Sequence, residues 1–248
     1  TLSNGIKVTV KPTDFKKDEI VFSGVKYGGT GQFGADDKVN TTFLSSVIGS
    51  MGYGHFTPTA LHDFLAGITA NVSMSLGAVS NNVGGGSSVK DLSTLLELNY
   101  LKLTSPRVDT ALFTGYITKM KAQLQFLKAN PSYAFQDSLT KVLYHNDPLA
   151  PITLPTADDM DQISMQRVLD IYKQQFGSAD GFHFFIVGNV NEDTLKPLLE
   201  KYVASLPTSG VKPMYKDNGL RSVTGNKVFK FYKGGDQKSM LIRLYHGD

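Results

Sequence analysis

The sequence predicts an α+β fold, and three observations support this prediction. Residues 182–187 form a short apolar run rich in aromatic and β-branched residues, which is typical of a buried strand. Residues 6–11 alternate apolar and polar side chains, which is typical of a half-buried strand. A loop of Pro, Asp and Lys joins that strand to a second one over 19–27, so we expect hairpin-type antiparallel pairing there. The strands predicted over 70–77 and 78–86 meet at a glycine, and we expect the same pairing between them.

Helical spacing of apolar residues and several start signals predict the helices. Thr57 before Pro58 has the form of an N-cap followed by a first-turn proline. Ser88 with Asp91 three residues later has the form of a capping box. These patterns predict helices near residues 38–50, 58–67, 89–103, 110–129, 132–144, 162–176 and 192–205.

The last two predicted helices enclose the buried strand at 182–187. Ser164 is positioned to cap the first of them, which stops at Gly177. Asn191 is positioned to cap the second, whose first turn carries negative charge that the helix dipole favours. The segment from Gly181 to Pro207 therefore reads as one strand-turn-helix unit.

A change of composition predicts a domain boundary after this unit. We expect one α+β domain over residues 1–207 and a linker over 208–225, where periodicity is lost and Pro, Gly, Ser and Asn accumulate. Residues 226–248 contain two short strand candidates, too few to bury a core of their own. We interpret them as the first strands of a following, truncated domain, and the chain as a piece of a longer protein.

Composition excludes several classes of function. The 248 residues carry a net charge of +3 without a basic block, so nothing indicates nucleic-acid binding. The apolar runs fall far below the roughly 20 residues of a membrane span. The absence of cysteine excludes disulfides and thiolate metal sites, but it leaves both the bacterial periplasm and the cytosol open.

Three stretches carry a resemblance to a known family: the opening LSNGIKV strand, the Gly28-Gly29 pair, and the run from DQISMQRVLDIYKQQF to LEKYVASLP. In this order they resemble the pitrilysin and insulinase type of zinc metallopeptidase, and they are similar to mitochondrial processing peptidase. The resemblance covers nearly the whole chain. It implies a mostly antiparallel sheet with helices packed on one side, the processing-peptidase-like (LuxS/MPP-like metallohydrolase) domain. A second domain of similar build would start near residue 226.

The resemblance also implies where a zinc site would lie. The family's motif is His-x-x-Glu-His on a helix, with two metal ligands and a base, and a glutamate on a later helix completes the coordination. The corresponding helix here contains Thr42-Phe43-Leu44-Ser45-Ser46, so hydroxyls of Thr42, Ser45 and Ser46 replace all three working side chains. A neutral hydroxyl is a weak zinc ligand beside imidazole or carboxylate. We therefore predict degenerate motif positions and no catalytic, metal or cofactor-binding residue in this chain.

The later helix lacks the remaining ligand as well. No glutamate occurs between Glu97 and Glu192, and the region presents Lys119, Met120 and Lys121 instead. The histidines lack the short spacing of a zinc site, and we interpret each as structural or exposed: His55, His62, His145, His183 and His246.

Two other chemical patterns are weak. Ser45, Ser46 and Ser50 lie near His55 in sequence, but no Gly-x-Ser-x-Gly elbow accompanies them. The run Gly84–Gly86 lacks the lysine of a phosphate loop, and we interpret it as a strand end that a backbone or an extended peptide approaches closely.

The resulting functional hypothesis is a catalytically silent half of a pitrilysin-type zinc peptidase. The family, as the resemblance implies, has four related domains in two halves that close around a peptide, with metal in the first domain only, and this chain fits the third. Zinc is expected in a catalytic half, on the same polypeptide or on a separate subunit, and extended peptide is the expected ligand. The residues that contact peptide are not assigned. The alternatives are an architectural core subunit without a link to proteolysis, or an enzyme with an unconventional site.

Overall fold

One mixed sheet organises the molecule in the computed structural model, which describes residues 1–235 and 239–245. Its five strands have the order β1-β5-β2-β4-β3, with the bounds β1 Lys7–Pro12, β2 Ile20–Tyr27, β3 Ala70–Leu76, β4 Ser80–Ser87 and β5 His183–Gly188. Three of the four pairings are antiparallel, and only β1 with β5 is parallel. The predicted α+β class with a mostly antiparallel sheet is confirmed.

The hairpin predicted between the first two strands is wrong. Strand β5 lies between β1 and β2, with Val8 opposite Phe184 in parallel and Phe22 opposite Ile186 in antiparallel register. The reason is burial, because Phe184 and Ile186 are completely inaccessible and need neighbours on both sides. The hairpin of β3 and β4 is confirmed, and its turn is closed by a hydrogen bond from Gly77 N to Ser80 O.

The helices follow the predicted segments closely. Their bounds are α1 Lys38–Met51, α2 Pro58–Phe64, α3 Leu92–Thr104, α4 Thr110–Ala129, α5 Pro131–Leu143, α6 Ala157–Asp161, α7 Met165–Phe176 and α8 Glu192–Tyr202. The short α6 was not predicted, although Thr156 and Asp159 form a complete capping box at its start. Two 3-10 turns, Thr30–Gln32 and Ala35–Asp37, precede α1.

Three of the four predicted caps are confirmed. The side chains of Thr57, Ser164 and Asn191 accept hydrogen bonds from backbone N–H groups of the helices that follow them. The capping box at Ser88 is wrong, because α3 begins later, after Asp91. The Ser88 hydroxyl instead donates to the Asp91 carboxylate at 2.6 Å, and that carboxylate also accepts from Thr69 N.

The helices cover one face of the sheet. Along β2, side chains alternate between buried and exposed, with Ile20 and Phe22 inward and Val21 outward. Phe22 stacks on Phe184 with ring centroids 5.4 Å apart, and Phe182 stacks on the other side of Phe184 at 5.1 Å. These rings belong to the same core as the buried side chains of α1, α3 and α7.

Residues after α8 lie across the domain without forming a further described helix or strand. The Asp180 carboxylate accepts hydrogen bonds from Ser209 and Gly210, and Tyr215 packs on Tyr27 with ring centroids 5.4 Å apart. Val223 is buried and donates its N–H to Leu143 O. The predicted linker is therefore held against the domain at several points. The boundaries at 207 and 225, and a following domain, stay predictions.

Candidate functional site

Helix α1 carries the degenerate motif and is fixed on two sides. The buried side chain of Asn40 accepts a hydrogen bond from Ser164 N at 2.9 Å, which ties α1 to the start of α7. Arg167 on α7 donates two hydrogen bonds, of 2.7 and 2.6 Å, to the carboxylate of Asp37 directly before α1. The guanidinium holds the pKa of Asp37 below its usual range. The helix is thus a rigid base for the side chains that it presents.

The three motif positions differ in their surroundings. Thr42 and Ser46 are exposed, and Ser45 is half-buried. Residues four apart lie on one face of a helix, so Thr42 and Ser46 share a face as the two family imidazoles would. Leu44 is fully buried and anchors the opposite side. Ser45 and Ser46 line a pocket, whereas Thr42 is not part of its lining.

Helix α4 packs against α1 but does not offer the predicted lysines to it. Tyr116 lies beside Ser46; burial raises its pKa, and a hydrogen bond with Ser46 opposes that change. Lys119 is exposed, and Lys121 forms an ion pair with Asp161 on α6. The α4 side chain beside Ser46 is thus Tyr116, which was not predicted, rather than one of the two lysines.

A pocket of about 480 Å³ lies between α1, α2 and strand β3. It is lined by Ser45, Ser46, Gly49, Gly52, Tyr53, Pro58, Leu61, His62, Leu65, Val72, Ser73, Met74, Lys102 and Tyr172. Its lining combines apolar side chains with hydroxyls, one lysine and one histidine, and it contains no carboxylate.

Lys102 is the cationic centre of this pocket. Its ammonium donates a hydrogen bond to Val72 O and lies 5.0 Å from the ring centroid of Tyr53. Burial lowers the pKa of Lys102, and burial raises the pKa of Tyr53 to about 12. Tyr172 donates to the backbone oxygen of Lys102 at 2.6 Å, which fixes this turn of α3. The site therefore presents a cation and neutral phenols.

Sequence reasoning missed Lys102, Tyr53 and Tyr172. No sequence pattern distinguishes Lys102 from an ordinary exposed lysine, since a lysine on a helix with one apolar face usually lies on the solvent-facing side. No sequence pattern brings Tyr53 and Tyr172 together with it, because they lie on separate elements.

The side chains at the motif do not fit a zinc ion. The hydroxyls of the motif are weak ligands for zinc, and Lys102, which lines the same pocket as Ser45 and Ser46, would repel a cation there. In the described part of the chain, no three His, Cys, Asp or Glu residues are grouped so that they could hold a metal.

The histidines are scattered over the described structure. His55, His62 and His145 are exposed, and His62 lies 3.5 Å from the Asp63 carboxylate. His183 is hydrogen-bonded to Thr9 on the neighbouring strand at 2.8 Å. His246 lies outside the described residues.

The remaining patterns also find places in the structure. Ser50 donates its hydroxyl to Val47 O within α1. Gly84–Gly86 lie near the C-terminal end of β4, which ends at Ser87, and they pair with β2 on one side and β3 on the other. A Cβ on Gly85 would lie 2.1 Å from Asn71 O, so the close approach comes from the neighbouring strand. None of the described helices has the length and apolar character of a membrane span.

Comparison with known proteins supports the resemblance. Residues 162–247 match the family described as Peptidase M16 inactive domain. The chain is 24% identical over 209 residues to "Zinc protease PQQL-like" of Arabidopsis thaliana, a match covering 84% of the chain and 19% of that protein. It is 24% identical over 243 residues to "Probable zinc protease PqqL" of Escherichia coli K12, covering 90% of the chain and 24% of that protein.

A solved structure shares the fold. The periplasmic protease PqqL from Escherichia coli superimposes with a TM-score of 0.72 at 21% identity, over 91% of this chain and 24% of that one. The chain thus spans about a fifth to a quarter of the length of these relatives. The predicted resemblance to the non-catalytic part of pitrilysin-type peptidases is confirmed.

Proposed function

Since the chain is related to the inactive domain of pitrilysin-type M16 zinc peptidases, we propose that it forms a non-catalytic wall of a peptide chamber. In this role it supports proteolysis by a metal-bearing half elsewhere, on the same polypeptide or on a separate subunit. Zinc belongs to that other half, since the side chains at Thr42, Ser45 and Ser46 do not fit the ion. The chain corresponds to the third of four related domains.

The observation that carries the proposal is an open sheet edge beside the pocket. Strand β3 is the last strand of the sheet, and Val72, Ser73 and Met74 of β3 line the pocket. An extended peptide pairs with such an edge through backbone hydrogen bonds, while adjacent pockets take alternate side chains. The site can therefore hold peptide without any catalytic group.

The relatives suggest a compartment for this activity. The Escherichia coli PqqL structure is described as periplasmic. By analogy we place the present chain in a bacterial periplasm, where extended peptides would be its ligands. Fractionation of cells that express the natural gene product, followed by immunoblotting, tests this placement.

Binding of an unfolded polypeptide tests the peptide-binding role. Fluorescein-labelled, reduced and carboxymethylated α-lactalbumin is titrated with the chain, and anisotropy is measured. Ala70→Pro removes an N–H at the start of β3, whereas Ala70→Val keeps it. Loss of one or more backbone hydrogen bonds should weaken binding by roughly fivefold or more in the proline variant only.

Two results would contradict the proposal. Equal affinities of the two variants, or no binding by the wild type, would favour an architectural subunit instead. Metal analysis that finds one tightly bound zinc per chain, or peptide cleavage by the purified chain, would show that the chain is not the silent half.

A further inference from the structure

Lys102 places a positive charge in the pocket without a carboxylate to balance it. No Asp or Glu lines the pocket, and none of the ion pairs in the described part of the chain includes Lys102. Burial lowers the pKa of Lys102. A half-buried ammonium of this kind costs solvation energy that an anionic ligand would recover.

The position of the ammonium relative to β3 follows from the hydrogen-bond phase of the hairpin. Gly77 N donates to Ser80 O, and Ser88 N donates to Thr69 O, so the odd-numbered residues from 69 to 77 direct their backbone N–H and C=O groups toward β4. Val72 lies between two such residues, so its own N–H and C=O point away from β4. The bond from Lys102 to Val72 O therefore places the ammonium at the open edge of the sheet.

The ammonium keeps donors for a further partner. A lysine has three N–H donors, and the backbone oxygen of Val72 takes one of them. The ring of Tyr53 covers another side of the charge. The apolar side chains of Leu61, Leu65 and Met74 continue the pocket from this point. A ligand with a short aliphatic chain that ends in a carboxylate would place its chain against these apolar side chains and its carboxylate beside the ammonium.

We propose that this pocket binds a carboxylate of an extended peptide that lies along β3, with Lys102 as its cationic partner. This inference rests on the proposed peptide-binding function and makes it selective. The carboxylate belongs either to a glutamate-sized side chain or to the C-terminus of the peptide. The wall would then favour acidic or C-terminal segments over neutral internal ones.

Three labelled heptapeptides of alternating valine and threonine test the inference on the 248-residue chain by fluorescence anisotropy. The first has a central glutamate and an amidated C-terminus, the second has glutamine and an amide, and the third has glutamine and a free carboxylate. We expect the first or the third to bind roughly tenfold tighter than the second, because hydrogen bonds to charged groups are the stronger ones. Which of the two prevails identifies the source of the carboxylate. Measurable but equal affinities of all three peptides would overturn the inference.

Variants assign the preference to the ammonium. Lys102→Met keeps an apolar stem and should abolish the preference, while Lys102→Arg should retain most of it. Lys119→Met removes an exposed lysine on α4 and serves as the matched control. A preference that persists in folded Lys102→Met would overturn the inference, and the wild-type comparison remains decisive if that variant does not fold.

A small ligand separates this inference from the proposed function. Butyrate is titrated into the chain while the lysine side-chain NMR signals are recorded, and the Lys102 signal is assigned by its absence in Lys102→Met. A saturable shift of that signal without peptide binding would support the carboxylate pocket and contradict the peptide chamber. No saturable shift would overturn the carboxylate pocket, whatever the peptides do.

Discussion

Adding one methyl group at Gly24 should destabilise the domain markedly. Gly24 on β2 lies opposite Phe184 on β5, and a Cβ there would lie 2.4 and 2.5 Å from two ring carbons of Phe184. Ordinary contact begins at 3.4 Å, so the ring must move by about 1 Å. The ring is fully buried between Phe22 and Phe182, which leaves it little room.

The expected cost follows from overpacking of a dense core. Gly24→Ala should lower the free energy of unfolding by about 1–3 kcal/mol, because neighbouring side chains must leave their preferred rotamers. At about 2–4 °C per kcal/mol for a domain of this size, the melting temperature should fall by roughly 2–12 °C.

The same substitution elsewhere supplies a control of opposite sign. Gly115 lies in the middle of α4, and nothing lies within 4 Å of a Cβ added there. Gly115→Ala should therefore stabilise the chain by about 1 kcal/mol through helix propensity alone.

Urea denaturation followed by circular dichroism measures both variants. The combination Gly24→Ala with Phe184→Leu tests the mechanism, because a smaller side chain should relieve part of the clash and the two effects should be non-additive by about 1 kcal/mol. A Gly24→Ala variant as stable as the wild type, or strictly additive effects in the double variant, would refute the reasoning.

Three further predictions concern pH and metal. The pKa of Asp37 is lowered in the folded state, so its ionised carboxylate stabilises the fold above the unfolded pKa of about 3.9, and this stabilisation is lost as pH falls through the lowered pKa. Asp37→Asn should therefore lower the free energy of unfolding, measured by urea denaturation, by about 1 kcal/mol at pH 7. The variant should also lose less stability than the wild type as the pH is lowered. Burial lowers the pKa of Lys26 to about 8, so above that pH the unfolded chain binds more protons than the folded one, and the free energy of unfolding should rise between about pH 8 and 10. In Lys26→Met this rise should be smaller. A variant with the same pH profile as the wild type would show that Lys26 is not the group responsible. A triple variant that introduces the zinc motif carries the substitutions Thr42→His, Ser45→Glu and Ser46→His. It should still hold no stoichiometric zinc by elemental analysis, since α4 offers no further ligand. One tightly bound zinc per chain would contradict this prediction.

The elements themselves were predictable because their signals are local. Period-two alternation in β2 and caps such as Thr57 and Asn191 act over a few residues, and the structure follows them. Ser88 failed as a cap because its hydroxyl found a nearby carboxylate, on Asp91, in place of a backbone N–H. Such competition between local partners is not visible in a spacing rule.

The pairing of strands was only partly predictable. The short turn at Gly77 brings β3 and β4 together without help from the rest of the chain. In contrast, β5 enters between β1 and β2 from more than 150 residues away, as Val8 opposite Phe184 illustrates. Its position depends on burying aromatic rings in the middle of the sheet, and proximity in sequence carries no information about that.

The sequence by itself determined which chemistry the motif helix lacks, since Thr42, Ser45 and Ser46 bear hydroxyls wherever the helix lies. It also determined the family resemblance and most element bounds, because side-chain identity and periodicity are properties of neighbouring residues. Only the tertiary structure decided that Lys102 and Tyr53 meet beside the open edge of β3. A pocket is formed by side chains from distant segments, and packing alone brings these segments together.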